Sequence, residues 1–300
     1  MRSRAEPVSV DVFEQGEAIR VDPRTGRLAW VDMRVGTVHL GELLDGVLVT
    51  SVTASVPGGR VGMLAPAGDD GWVVAGGESV WWWRPKTGAF ALLRDGIGAG
   101  PGRFLNDGVC DPDGRLWVGT QSVPRQPTSV LVRVDHDLQA TEVLADVTVS
   151  NGIGFTADGG TLYYIDTLPH RRLEAFDVAG GQPTGRQTVA TLEGGNPDGL
   201  VVDDEGCAWV AMWDAGEVRR VAPSGEIVGV VETPARRPSA CTIAAGVLYI
   251  TTARVGLDDP GSDEGRIFAA DVGVDAPPAS SWAGRSPTGS IEDEESSTWV

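Results

Sequence analysis

Apolar residues in this chain come in short runs that alternate with polar residues at a spacing of two, the period of a half-buried β-strand. Each run is closed by Gly, Asp or Pro. One such unit recurs six times: DPRTGRLAWVD (22–32), AGDDGWVVAGG (67–77), DPDGRLWVGT (111–120), ADGGTLYYIDT (157–167), DDEGCAWVAMW (203–213) and AAGVLYITTA (244–253), with starts 41 to 46 residues apart. A second run follows each copy, from GTVHLGELL (36–44) to GRIFAADVGV (265–274). The 41 Gly and 19 Pro supply dense turns, and no amphipathic helix of normal length stands out. A repeat of this length holding several strands is the size of a propeller blade. A two-sheet sandwich needs no fixed long period, whereas a radial array does. The pattern therefore predicts an all-β, six-bladed β-propeller over residues 1–284. Residues 285–300 (RSPTGSIEDEESSTWV) are acidic and aperiodic, and are expected to form a disordered tail.

In a propeller the first strand of each blade lines the central channel, just upstream of the turn that opens the repeated unit. Stepping back from each turn, one position recurs in register: Glu17, Gly62, Asn106, Asn151, Asp198 and Ser239, at intervals of 45, 44, 45, 47 and 41 residues. Rotational symmetry would bring these six side chains into one ring. Four are oxygen donors. Singly, Asn-Asp-Gly, Asn-Gly and Pro-Asp-Gly are ordinary turn signals; their shared phase is what joins them. Carboxylates converging in a channel are costly unless something neutralises them. An all-oxygen donor set suits a hard divalent cation.

At these residues the chain resembles the senescence-marker-protein/gluconolactonase/regucalcin-like family. GEAIRVDPRTGRLAWVDM, NDGVCDPDGRLWVGT, SNGIGFTADGGTLYYIDT, NPDGLVVDDEGCAWVAMW and LYITTARVGLDDP occur in family order over about residues 11–284. The resemblance implies a six-bladed propeller with one divalent metal in the channel, Ca²⁺ first, with Zn²⁺, Mg²⁺ or Mn²⁺ as alternatives. It implies Glu17, Asn151 and Asp198 as metal ligands, and Asn106 beside the metal, in contact with substrate. The implied activity is opening of a small sugar-derived or other hydroxyacid lactone. The metal would polarise the carbonyl, and either Asp198 or a hydroxide generated at the metal would supply the base or nucleophile. Phosphotriester hydrolysis, as in the related diisopropyl-fluorophosphatase group, and non-catalytic calcium binding are the alternatives.

Two departures bear on substrate. The family often writes R-x-N-D-G, with the Arg gripping substrate hydroxyls. Here Arg103-Phe104-Leu105-Asn106 moves the Arg one residue further off and puts Phe104 in its place, and a shift of one in a strand swaps the face. Gly119-Thr120 leads into Gln121 with no Glu following, where relatives carry one. Arg103, Phe104 and Gln121 are thus the candidate substrate contacts, in a pocket less polar than a sugar-acid site.

Charge narrows the partners. With 24 basic and 42 acidic residues the net charge is −18, which repels phosphate backbones and anionic membranes; the expected partner is a small molecule, not nucleic acid or a bilayer. Cys110, Cys207 and Cys241 have no metal-ligand spacing, and there is no apolar leader, so a reducing, cytoplasmic setting is expected. His39, His136 and His170 fall in different blades and are read as surface or edge residues, which leaves no basis for a His-centred site.

Overall fold

The computed structural model describes residues 1–287, and within them every regular element is a strand. Six sheets form, their strands pairing in chain order from the inside outward, four in each of blades one to five and three in blade six, with further strands added from the chain's start. Blade one holds Gly16–Val21, Leu28–Asp32, Thr37–Leu44 and Val47–Ser55; blade two runs Val61–Arg94, blade three Arg103–Val147, blade four Ser150–Thr191, blade five Asn196–Glu232 and blade six Pro238–Asp271. The six-bladed propeller expected from the repeat is the observed fold. No helix among the described residues is long and apolar enough to cross a membrane. Of the segment expected as an acidic tail, residues 288–300 lie outside the described residues.

The chain's start closes the ring. Glu6–Pro7 pairs antiparallel with Phe268–Asp271 as the outermost strand of blade six, and Arg2–Arg4 adds a parallel fifth strand to blade five. Its end crosses one face: Pro277–Ser280 lines a cavity there with Arg20 and Phe155, and Trp282 is buried against the blade-two core, its amide donating to Pro66 O at 2.8 Å.

The repeated turn has a structural purpose. In blades three and five its aspartate accepts an indole N–H from the next strand, Trp117 Nε1 to Asp111 and Trp209 Nε1 to Asp203, each at 2.8 Å, and also the backbone amide four residues on. Burying a carboxylate is tolerable when its oxygens are saturated this way. The Trp rings then pack between sheets with the Val, Ile and Leu of the alternating runs. Of the tryptophans in the 81–83 run, Trp82 and Trp83 are buried and Trp81 is half-buried.

Candidate metal and substrate site in the channel

Every innermost strand breaks its ladder at the same place. Register shifts fall between Glu17 and Arg20, Val61 and Met63, Leu105 and Gly108, Asn151 and Ile153, Pro197 and Leu200, and Pro238 and Ala240. Each of the six ring positions lies within or at the edge of one of these irregularities. A bulge re-aims a side chain that a regular pleat would send into the neighbouring sheet.

Two ring members have no part in the donor set. A Cβ on Gly62 would lie 1.7 Å from the carbonyl oxygen of Asn106, so a glycine is needed for strand 103–110 to approach this closely. Ser239 is fully buried and donates to Gly16 O, tying blade six to blade one. The other four, Glu17, Asn106, Asn151 and Asp198, line a single cavity of about 90 Å³, joined by Gln15, Gln121, Arg125, Thr167, Leu168 and Trp213.

A directed chain of hydrogen bonds sets the amides. Gln121 Nε2 donates to Asn106 Oδ1 at 2.6 Å; Asn106 Nδ2 donates to Asn151 Oδ1 at 2.6 Å and to Ser150 O at 2.8 Å. Asn151 Nδ2 donates to Thr167 Oγ1 at 2.7 Å, which donates to Pro197 O at 2.7 Å. Both asparagine oxygens keep one lone pair. The loops entering the first strands of blades one and four are held alike: Asp32 accepts the amides of Glu14 and Gln15, and Asp166 those of Thr148 and Val149.

The carboxylates are under electrostatic pressure. Burial pushes the Glu17 carboxyl up to about 8; a hydrogen bond from Gln15 opposes this, and the charges of Asp107 and Asp32 add to it. Asp198 is held well above the usual carboxylate range by burial, then by Glu17 and Asp107, with Arg125 acting the other way. Its carboxylate accepts no hydrogen bond from the described residues. Asp107, next to Asn106 in the chain, is also raised by burial and countered by Arg20, whose guanidinium donates to Gly108 O at 3.0 Å.

A divalent cation fits this set. Two buried carboxyls resist ionisation alone, and two amide oxygens with spare lone pairs stand beside them. Among the described residues no cluster of three or more His, Cys, Asp or Glu is arranged to hold a metal, so any such site draws on the amides as well as the acids.

The remaining candidates divide. Gln121 lines the cavity. Arg103 does not: it turns back to the carbonyls of Gly98 and Ala99, at 3.4 and 3.5 Å. Phe104 is registered opposite Gln121, and hence on its face, but the Arg60 guanidinium covers its ring at 4.1 Å and it does not reach the cavity. His136 and His170 are exposed. His39 is not the surface residue expected: it is buried in the third strand of blade one, hydrogen-bonded to Thr37 and Thr53 and stacked on Trp30 at 5.4 Å. Sequence reasoning missed Gln15, Arg125, Thr167 and Trp213 as lining residues. Gln15 lies two residues before Glu17, and Thr167 closes a repeated unit as Trp213 does, so phase was a usable signal for these three; Arg125, in an irregular loop, had none. A larger groove of about 720 Å³, lined by Asp146, His170, Glu174 and Arg186, contains no ring residue, and its Glu174 is paired with Arg186 at 2.7 Å.

Comparison with known proteins shows the family and the fold. The SMP-30/gluconolactonase/LRE-like region is matched over residues 15–254. Regucalcin of Danio rerio is 34% identical over 269 residues, covering 85% of this chain and 88% of that protein. A 6-deoxy-6-sulfogluconolactonase of Pseudomonas putida is 32% identical over 245 residues, covering 76% and 79%. The solved structure of a calcium-binding protein, regucalcin, from Agrobacterium tumefaciens superposes with a TM-score of 0.86 at 25% identity, covering 94% of this chain and 98% of that one.

Proposed function

Because the chain belongs to the SMP-30/gluconolactonase/LRE-like family, we propose that it is a lactonase, hydrolysing the cyclic ester of a small sugar-derived or other hydroxyacid in its channel. The observation that carries this reading is the meeting of Glu17, Asn106, Asn151 and Asp198 on one small cavity. The names of the Pseudomonas putida and other relatives support the substrate class.

Glu17, Asn151 and Asp198 would hold a divalent ion, which supplies Lewis-acid polarisation of the ester carbonyl when bound. Ca²⁺ is the ion to test first, since the Agrobacterium tumefaciens neighbour is described as calcium-binding. Asp198, which accepts no hydrogen bond from the described residues, takes the proton from the water that attacks the carbonyl carbon. The ring C–O bond then breaks and the departing alkoxide takes the proton back, leaving a hydroxyacid. Asn106, with both N–H groups engaged, offers its oxygen to a substrate hydroxyl. Gln121 keeps that amide from turning. Leu168 and Trp213 form apolar wall.

The test is turnover of an aldonolactone panel and a phosphotriester, with and without EDTA, by wild type and by Asp198→Asn. A loss of about 10²-fold or more on lactones is expected from removing the base and from chelation. Undiminished lactone turnover in either case overturns the assigned roles. Turnover of the phosphotriester alone overturns the substrate class.

A further inference from the structure

The inference rests on the lactonase reading and concerns what else the lactone carries. Arg125 stands in the loop that joins Leu116–Ser122 to Ser129–Val134, and it is the one arginine among the residues lining the cavity. Three other arginines around the channel are occupied by the protein itself. Arg103 is turned to backbone carbonyls, Arg171 Nε donates to Asn196 Oδ1 at 3.0 Å, and Arg237 is paired with Asp214 at 2.6 Å. Arg125 has no hydrogen bond or ion pair with any described residue, yet its charge reaches Asp198.

A divalent cation would offset Glu17 and Asp198, and Arg20 counters Asp107. Among the described residues lining the cavity, Arg125 is the one cation, and no acid forms an ion pair with it. We infer that Arg125 determines specificity by binding an anionic group, a carboxylate, sulfonate or phosphate, on a carbon of the lactone remote from the ester. The planar guanidinium matches such oxyanions bidentately. The chain's net charge of −18 repels anions at long range, so an anionic substrate needs a local cation of this kind.

The test separates recognition from turnover. Calorimetry measures binding of neutral 1,5-anhydro-D-glucitol and of its 6-phosphate to Ca²⁺-loaded and metal-free protein, for wild type, Arg125→Ala and Arg125→Lys. Wild type is expected to favour the phosphorylated probe by about tenfold or more, the Ala variant to lose that preference and the Lys variant to keep part of it. Turnover of D-glucaro-1,4-lactone against D-glucono-1,5-lactone is expected to show the same change in the ratio of kcat/KM. Equal binding of the two probes by wild type, a preference that survives in Arg125→Ala, or an equal loss on both lactones overturns the inference while leaving the lactonase reading intact. If no lactone is turned over, that reading falls and the binding data still decide the role of Arg125.

Discussion

Glu17→Gln is the most informative single substitution, because opposite effects are expected with and without metal. The change is nearly isosteric, and Gln15 Nε2 can still donate to the remaining carbonyl oxygen. In the metal-free protein Glu17 binds its proton up to about pH 8, against 4.5 for the free side chain. A carboxyl raised in this way lowers stability as pH rises: nothing is lost below 4.5, and the loss is complete above 8. At pH 7 the loss is about 3 kcal/mol, and roughly the same amount separates pH 5 from pH 8. Glu17→Gln should remove it. With EDTA present, the variant should therefore unfold several degrees above wild type at pH 7.5, about 2 °C per kcal/mol for a chain of this size, and the gap should close toward pH 5. With saturating Ca²⁺ the order should invert, since a ligand is gone and binding no longer stabilises the fold. The difference between variant and wild type is the quantity to read, because His39 contributes with the opposite sign below pH 6.5. A metal-free variant less stable than wild type at pH 7.5, or a Ca²⁺-induced rise in Tm equal to that of wild type, would refute the reasoning.

Three further outcomes are expected. Gly62→Ala forces a Cβ to within 1.7 Å of Asn106 O and 2.5 Å of its carbonyl carbon; strand 103–110 must move, costing about 1–3 kcal/mol in urea unfolding and about 10²-fold in lactone turnover. Trp282→Ala removes a buried indole from the blade-two core and should lower unfolding free energy by roughly 3–5 kcal/mol, with little change in KM because Trp282 does not line the channel cavity. His39 is held neutral by burial down to about 4. Its unfolded form takes up a proton first, so stability falls as pH drops from 6.5 to 4, by up to about 3 kcal/mol; His39→Phe should flatten that part of the pH–stability curve.

The strand pattern, the blade count and the phase of the channel positions were all legible in the sequence, because they follow from local rules: a period of two, turn chemistry, and a repeat near 45 residues. Phase alone put Glu17, Asn106, Asn151 and Asp198 together, and the channel does bring them to one cavity. Phase also marked Gly62, but only the approach of the Asn106 backbone explains why a side chain is missing there. What sequence could not reach was anything set by contacts between blades or by irregular loops. The chain of hydrogen bonds from Gln121 through Asn106, Asn151 and Thr167 to Pro197 O spans three blades and is invisible until they pack. His39 was misread as a surface residue because its burial depends on Trp30 and Thr53 closing over it from neighbouring strands. Arg103 and Phe104 drew attention by their departure from a motif, yet backbone carbonyls and Arg60 take them out of the cavity. Arg125 comes in from a loop with no periodicity to betray it. Alternation and phase say which side chains face the axis; only packing decides which of them are already satisfied by the protein and which are left for a ligand.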